Sequence, residues 1–290
     1  MKRHKICKII FAILAVFLCV AFYELIGICV TYKKQPAVSD ATIKETQNIM
    51  SVAGRENTER AVIIEKNSQA LLERVRLIQN AKDEIILSTF AFKSDESGKL
   101  ILGALHDAAD RGVHVRILVD GMESWIDMEG NPYFYGLSSH ENVEIKLYNK
   151  ANPLKPWKTM GRMHDKYLIA DGKIYILGGR NTYNYFLGDF PGHKNFDRDV
   201  LVVCDEPQKD NSVNQLWNYF ETIWEQEDCR YFHNSKKLAD RQSVKKAVLE
   251  LQEGYQQYFE VNKEKICDTD YADETFETEK IILLSNPIHT

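Results

Sequence analysis

The sequence contains little proline and cysteine, and it has no excess of positive charge. Its 290 residues include 7 Pro and 15 Gly, whereas 44% of the residues are hydrophobic. This composition excludes a collagen-like chain and a wholly disordered one. With 37 basic and 42 acidic residues the net charge is −5. That charge excludes a histone-like protein held to nucleic acid by bulk positive charge, but it leaves room for a local basic site.

The six cysteines form no disulfide or metal-binding pattern. Three of them lie in or beside one apolar segment near the N-terminus, and the others, Cys204, Cys229 and Cys267, are scattered singly. No C-x-x-C pair occurs in the sequence. Neither a zinc site nor a thioredoxin-type site is therefore predicted.

One long hydrophobic run lies near the N-terminus. From Ile9 to Val30 the only charged residue is Glu24, and about 20 apolar residues suffice to cross a bilayer as a helix. The run continues past Glu24 without a good cleavage pattern, which favours an uncleaved signal anchor over a cleaved signal peptide. Four basic residues precede the run and two follow it. The positive-inside rule therefore predicts a single-pass cell-membrane protein with its main domain outside the cytoplasm.

The sequence divides into four segments. We expect a transmembrane anchor over residues 1–34, a polar tether over 35–60, a globular domain over 61–277 and a short last segment over 278–290. In the globular domain, helical periodicity begins at Asn67 and recurs in Leu100–Ala109, and residues 210–259 are predicted to be mostly helical. Apolar runs predict strands at Glu84–Phe92, Val113–Asp120, Val143–Tyr148, Asp199–Cys204 and Lys280–Leu284. The alternation of strands and helices predicts an α/β fold with a parallel or mixed sheet.

A hairpin is predicted in the second half of the domain. Two short apolar runs, Tyr167–Ala170 and Ile174–Leu177, flank an Asp-Gly-Lys segment, and Asp-Gly between β-rich runs is a strong hairpin signal. A two-residue turn at Asp171-Gly172 would place Gly179 opposite His164. A glycine there would leave open space for a substrate atom.

Three polar side chains of this hairpin are predicted to converge. His164 and Lys166 are two residues apart, so a strand places them on one face, and Asn181 follows the end of the returning strand. An ammonium group suits phosphate oxygens as a point charge, and a carboxamide adds a neutral donor. An imidazole serves as nucleophile or acid–base at neutral pH. The three residues together predict a phosphate site.

The spacing of these residues resembles a known motif. The pattern H-x-K-x4-D-x6-G-G-x-N, running from His164 to Asn181, is similar to the HKD motif of the phospholipase D superfamily. Membrane-anchored cardiolipin synthases and related bacterial phosphatidyltransferases resemble the sequence most. The second glycine position is more often Ser in that family, so Gly179 removes one hydroxyl donor. The resemblance covers roughly Val62 to Tyr231.

The resemblance implies a fold and a reaction. The fold would be a phospholipase D-like mixed sheet flanked by helices and preceded by one transmembrane helix. The reaction would be a displacement at phosphorus in two steps, through a phosphohistidine. A histidine from a second HKD motif would protonate the leaving alcohol. No metal or other cofactor would take part, because lysine and asparagine side chains neutralise the phosphate.

The resemblance also implies the site residues. His164 would be the attacking histidine, and the phosphate would be bound by Lys166, Gly178, Gly179 and Asn181.

Two acidic residues complete the implied catalytic set. Asp171 lies in the hairpin turn, where Asp is common, and we expect its role to be structural. Family members orient the histidine with a downstream acid, for which Asp199 is our candidate and Asp197 the alternative.

The family's active site uses two motifs, whereas this sequence contains one H-x-K-x4-D. The second motif would come from a C-terminal repeat beyond this sequence or from a homodimer partner; otherwise the chain is an inactive half-enzyme. The final residues, KIILLSNPIHT, resemble the start of a second repeat and favour the first of these.

The resemblance implies a membrane enzyme acting on phospholipid. We expect phosphatidyl transfer of the cardiolipin synthase kind, with phosphatidylglycerol as the substrate, or phospholipid hydrolysis. The alternative is a membrane-tethered homodimeric nuclease. Nucleic acid is a partner only under this alternative, which the net negative charge disfavours.

A basic loop precedes the motif. Residues Lys150–Arg162 contain Trp157 and four basic residues, Lys150, Lys155, Lys158 and Arg162. Basic residues with an interfacial Trp suit an anionic membrane surface. An ordinary solvated loop is the other interpretation of this segment.

Overall fold

The computed structural model describes residues 2–33, 39–41, 43, 44, 47, 59–150, 152, 154–158, 161–207, 211–279 and 281–285. Most of the predicted tether lies outside these residues. The strand predicted at Lys280–Leu284 was wrong where the structure describes it, because residues 281–285 are irregular. Ile281 and Leu283 instead pack their side chains on the hydrophobic core, which accounts for their apolar character without strand pairing.

Strands and helices alternate from Glu59 to Tyr148, whereas the next three strands follow one another without a helix between them. The strands are β1 (Glu59–Ile64), β2 (Glu84–Thr89), β3 (His114–Asp120), β4 (Val143–Tyr148), β5 (Lys166–Ala170), β6 (Ile174–Gly178), β7 (Asp199–Cys204), β8 (Cys229–Tyr231) and β9 (Phe276–Glu277). The helices are α1 (Lys2–Lys33), α2 (Asn67–Asn80), α3 (Glu96–Asp110), α4 (Gly121–Asp127), α5 (Pro132–Ser138), α6 (Ser212–Trp224), α7 (Lys236–Ala239) and α8 (Gln242–Cys267), with a 3-10 turn at Pro156–Lys158.

The strands form one mixed sheet in the order β8-β4-β3-β2-β5-β6-β7-β1-β9. The pairs β2/β3 and β3/β4 are parallel, and the other pairs are antiparallel. The predicted α/β fold with a mixed sheet is confirmed. The short strands β8 and β9 at the two ends of the sheet, and β1, were not predicted.

Helices cover both faces of the sheet. One face packs on α2, α3, α5 and α8 through a large core, and the other packs on α6 through a smaller one. Ile85 and Leu87 of β2 belong to the large core, and Ile86 between them belongs to the smaller core. Because side chains alternate along a strand, a strand buried on both faces is apolar at successive positions.

The β5–β6 hairpin forms, but its predicted register was wrong. Tyr167 pairs with Leu177, where a two-residue turn would have paired Lys166 with Leu177. The turn contains three residues, and its first two, Asp171 and Gly172, have φ of 51° and 62°. As a result, Gly179 does not face His164 across the hairpin.

The physical reason for the longer turn is the side chain of Asp171. Its carboxylate accepts backbone hydrogen bonds from Lys82 (2.9 Å), Asp83 (2.8 Å) and Glu84 (3.0 Å). These bonds tie the turn to the start of β2. They hold Asp171 in the left-handed region, which Asp tolerates better than most residues.

Helix α1 is the long apolar helix that the sequence predicted. Its segment His4–Val30 has a mean hydropathy of 2.7 and is long enough to cross a membrane. Its C-terminal part contacts the loop before β5. The Tyr23 hydroxyl donates to the Leu154 carbonyl oxygen (3.1 Å), and Gly27 lies against Pro156.

Candidate phosphate-binding site

The predicted site lies at one edge of the sheet. In the parallel and antiparallel pairings, the C-terminal ends of β2, β3, β4 and β6 meet the first residues of β5 and β7 at this edge. Lys166 opens β5, Gly178 closes β6 and Asp199 opens β7. We call this edge of the sheet the site edge. The predicted HKD residues other than Asp171 therefore collect there.

The side chain of Phe90 organises the site edge. Its ring lies 4.7 Å from the His164 ring, centroid to centroid, and the cationic groups of Lys166 and Arg162 lie 5.3 and 4.9 Å from its centroid. Arg162, His164 and Lys166 are alternate residues, so all three contact one ring from the same face of the chain. His164 and Lys166 thus lie on the same side, facing one ring, although β5 begins only at Lys166 and His164 precedes it. Phe90 follows β2 directly, and the sequence analysis gave it no role at the site.

Lys166 is a buried cation. The residue is 6% exposed, and its Nζ donates a hydrogen bond to the His164 carbonyl oxygen (2.6 Å). Burial lowers the pKa of Lys166 to about 8, against the opposing effect of the Asp165 and Asp197 carboxylates. A poorly hydrated ammonium gains more from an incoming phosphate than a solvated one does.

His164 is exposed at the site edge. Partial enclosure of its ring and the nearby Lys166 ammonium lower the pKa of His164 below 6.5. Its imidazole is consequently mostly neutral at pH 7, the form that has a free lone pair for nucleophilic attack. Asp165 lies between His164 and Lys166 in the sequence and points to the other face of the sheet, where its carboxylate accepts a hydrogen bond from the Tyr219 hydroxyl (2.9 Å). Burial raises the pKa of Asp165.

Asn181 is held in place by its carbonyl oxygen. Its Oδ1 accepts from the Ala91 backbone N–H (3.1 Å), and the residue is 6% exposed. Ala91 follows Phe90, so the same segment after β2 positions both the aromatic ring and the carboxamide. This arrangement leaves the Nδ2 donor without a hydrogen-bond partner among the described residues.

Both glycines of the motif permit close contacts with acidic residues. A Cβ on Gly178 would overlap the Asp199 carboxylate, and a Cβ on Gly179 would overlap the Asp197 carboxylate. The serine that is usual in the family at position 179 would therefore displace Asp197. The glycine at this position and the placement of the Asp197 side chain fit together.

Asp199 and Asp197 occupy different environments. The Asp199 side chain is fully buried between two arginines, with Oδ2 at 3.0 Å from Arg74 and 3.3 Å from Arg180. Asp197 is half-buried beside Gly179, and its charge acts on Lys166. Among the described residues, no side chain forms a hydrogen bond with the His164 ring. The charge of Asp197 therefore acts on Lys166, whereas Asp199 is paired with the two arginines.

Asp171 lies at the opposite edge of the sheet. Lys166 opens β5 and Asp171 directly follows it, so the two residues are roughly 17 Å apart at about 3.3 Å per residue, and His164 is farther away still. Its carboxylate is occupied by the three backbone amides before β2. At that distance it does not contact a substrate phosphorus held by Lys166.

The ion pair between Asp120 and Arg162 also borders the site, and no motif in the sequence indicated it. Asp120, 1% exposed at the end of β3, accepts from Arg162 (2.9 Å to Nε) and from the Met163 backbone N–H (3.1 Å). It also caps α4 by accepting from Met122 N (3.0 Å). The pair fixes the two residues before His164. Asp120 is a charged residue at the end of the buried apolar strand β3. That position is the feature of the sequence that could have identified it as a site residue.

Within the described residues, no cluster of three or more His, Cys, Asp or Glu side chains could hold a metal ion. The cations that contact Phe90 are Lys166 and Arg162. The candidate phosphate-binding groups at the site edge are the Lys166 ammonium, the Asn181 carboxamide and the His164 imidazole.

Known proteins are similar to this chain in sequence and in fold. A family model described as "Cardiolipin synthase, PLD-like domain" matches residues 75–224, just over half of the chain. Cardiolipin synthase C of Escherichia coli is 29% identical over 154 residues, which cover 48% of this chain and 31% of that protein. An uncharacterized Helicobacter pylori protein is 33% identical over 181 residues, 58% of this chain and 35% of that protein.

A solved structure confirms the fold. The phosphatidylserine synthase of Haemophilus influenzae superposes with a TM-score of 0.50 at 14% identity, over 75% of this chain and 48% of that one. The chain spans about a third of the length of the curated relatives that it matches.

Proposed function

The chain belongs to the phospholipase D-like family of the cardiolipin synthase type, and on this premise we propose that it is a membrane-anchored phosphodiester transferase acting on phospholipid. The reaction is phosphatidyl transfer from one phosphatidylglycerol to another, with water as the acceptor in a hydrolytic variant. The observation that carries the proposal is the convergence of His164, Lys166 and Asn181 at one edge of the sheet.

The site residues divide the reaction into two displacements. The neutral His164 imidazole attacks phosphorus, and the bond from phosphorus to the glycerol oxygen breaks, so that glycerol leaves after taking a proton from an acid. The hydroxyl of a second phosphatidylglycerol then attacks the phosphohistidine and gives its proton to the group that protonated glycerol, and the bond from phosphorus to nitrogen breaks to release cardiolipin and neutral His164. Lys166 and the Asn181 amide stabilise the equatorial phosphate oxygens in both steps.

The membrane anchor supports a lipid substrate. Helix α1 is long and apolar enough to cross a bilayer, and it contacts the loop that leads to His164. An enzyme fixed at the bilayer surface finds phospholipid at a high local concentration. We propose a single-pass arrangement in which the catalytic domain lies outside the cytoplasm.

The test uses the full chain reconstituted in vesicles that contain phosphatidylglycerol. We expect cardiolipin and glycerol to appear in equal amounts, and His164→Ala to abolish both products. His114→Ala is the matched control, because His114 begins β3 at the opposite edge of the sheet. It is expected to retain full activity.

A parallel reaction with single-stranded DNA separates the alternative. The same phosphohistidine chemistry on a nucleic acid would cut DNA and leave the lipid unchanged. That result would replace the lipid proposal with a membrane-tethered nuclease. If neither the lipid nor the DNA reacts and no covalent phosphohistidine forms, the chain alone is not an active enzyme.

A further inference from the structure

A basic cavity lies beside the HKD site and takes no part in the proposed reaction. It has a volume of about 310 Å³ and is lined by Asn149, Lys150, Asn152, Lys155, Lys158, Asp228 and Arg230. Its four cations face one carboxylate, which leaves an excess of three positive charges. Its volume is at the lower end of the range for small-ligand sites, about 300–1,000 Å³.

Most of the positive charge in this basic cavity has no acidic partner among the residues that the structure describes. Lys158 is paired with Asp228 at 2.9 Å. Lys150, Lys155 and Arg230 are exposed, and none of them forms an ion pair with another described residue. Like charges held close together repel one another, so an anion bound among them relieves that repulsion. The ligand is therefore an anion.

The basic cavity adjoins the part of α1 that approaches the bilayer surface. A Cβ on Gly27 would lie 2.5 Å from Cγ of Pro156, so the helix and the loop that lines the cavity are in direct contact. The 27-residue span His4–Val30 is about 40 Å long as a helix, against about 30 Å of bilayer core. The excess of about 10 Å corresponds to about seven residues, and Glu24, the only charged residue in Ile9–Val30, favours its lying at the C-terminal end. Gly27, and Tyr23 next to Glu24, are then at the level of the lipid headgroups.

The surroundings of the cavity also suit a membrane surface. Leu154 is 78% exposed, and Trp157, beside the cavity, is 46% exposed. Trp125 and Ile126 of α4, which follows β3 at the site edge, are exposed as well. Exposed Trp side chains next to basic residues are typical of the interfacial region of a bilayer.

The cavity and the HKD residues lie along the same edge of the sheet. Asn149 follows β4, and Lys166 opens β5, with β3 and β2 between them in the sheet. Three strand spacings of about 4.8 Å place the cavity roughly 14 Å from the catalytic strand. A headgroup in the cavity is therefore too far away to be the reacting phosphate, but it fixes the direction that the site edge faces.

We propose that the basic cavity binds the phosphate of an anionic phospholipid in the leaflet around α1, and that this contact holds the site edge against the bilayer. The occupant is a lipid headgroup because α1 and the exposed Trp side chains bring the cavity to the membrane surface. The proposal rests on the proposed function only in requiring that α1 spans a membrane, and it needs no catalysis.

Binding is measured on the full chain in detergent micelles by native mass spectrometry. All proteins carry His164→Ala, so that turnover does not consume the lipid. We expect phosphatidylglycerol to be retained in preference to phosphatidylcholine, and the preference to fall about tenfold when Lys150, Lys155 and Arg230 are changed to Gln. The matched control changes three basic residues of α8, Lys245, Lys246 and Lys263, to Gln, and it keeps the preference.

Two results would overturn the proposal. One is a cavity variant that selects phosphatidylglycerol as well as its parent does. The other is displacement of the lipid by free glycerol 1-phosphate at an equal concentration, which would make the ligand a soluble phosphate. Because every protein in this experiment is catalytically disabled, its outcome is independent of the activity test of the proposed function.

Discussion

Lys166 is the residue whose chemistry the fold alters most clearly at the site. Burial lowers its pKa to about 8, and the carboxylates of Asp165 and Asp197 limit that shift. Its neighbour His164 also has a lowered pKa. Anion binding needs the charged lysine, and attack needs the neutral histidine. The productive combination therefore exists between the pKa of His164, below 6.5, and that of Lys166, near 8.

The alkaline limit can be measured with an anion whose own charge is constant. We expect the affinity of the full chain for sulfate to fall as the pH rises through about 8, because Lys166 loses its proton there. Lys166→Arg stays charged and removes this decline. Asp197→Asn deletes a carboxylate that raises the pKa of Lys166, so the decline begins at a lower pH. The affinity is measured by calorimetry in detergent micelles.

An exposed lysine provides the control for this titration. Lys173→Arg, in the hairpin turn at the other edge of the sheet, is expected to leave the pH dependence unchanged. A decline that persists unaltered in Lys166→Arg would mean that another group titrates near pH 8, and that Lys166 is not the anion-binding cation.

At the scale of elements, the β5–β6 hairpin depends on the aspartate of its own motif. Asp171 accepts three backbone N–H groups at the start of β2, and so joins the catalytic hairpin to the central strand. We expect Asp171→Ala to destabilise the domain by about 1–3 kcal/mol, because those donors lose their acceptor. Asp171→Asn retains one acceptor oxygen and a tolerance of positive φ, and we expect a smaller loss. Urea unfolding in micelles measures both.

The hairpin prediction has its own control. Lys173→Ala alters the same turn but not these hydrogen bonds, and stability is expected to stay within about 0.5 kcal/mol. Sulfate affinity is expected to be unchanged in folded Asp171→Ala. A variant that keeps its stability and loses sulfate binding would contradict the structural role of Asp171 and give it a role at the phosphate.

The strands show which features of the fold local sequence determines and which depend on residues that are distant in the sequence. The apolar runs of β2, β3, β4 and β7 and the Asp-Gly turn identify the sheet, because strands buried on both faces must be apolar. The register of β5 and β6 did not follow from the turn residues. It depends on the contact of Asp171 with residues 82–84, which are far away in sequence.

The site shows the same division. The spacing of His164 and Lys166 predicted a shared face, and both side chains contact Phe90, although His164 lies just before β5. The arginine partners of Asp199 lie on α2 and in the loop after β6, so that no local pattern linked them. Phe90 and Asp120 reach the site only because parallel strands end together at one edge.

At the scale of the whole molecule, one HKD motif leaves the reaction without an acid. The lowered pKa of His164 makes it mainly neutral at pH 7, which suits attack but leaves little imidazolium to protonate the departing glycerol. Asp165 has a raised pKa, but its carboxylate is bound to Tyr219 on the other face of the sheet. We therefore expect the acid to come from a second motif, and we propose that a second copy supplies it when this chain is reconstituted by itself.

Mixing active and inactive copies tests this sharing. If each active site takes one histidine from each of two copies, random pairing of equal amounts of the natural chain and His164→Ala leaves about a quarter of the pairs intact. We therefore expect the transferase activity of such vesicles to be about a quarter of that from the same total amount of natural chain. An equal mixture with His114→Ala retains the full activity. An activity of one half in the His164→Ala mixture would mean that each copy works alone, and that the acid lies within a single chain.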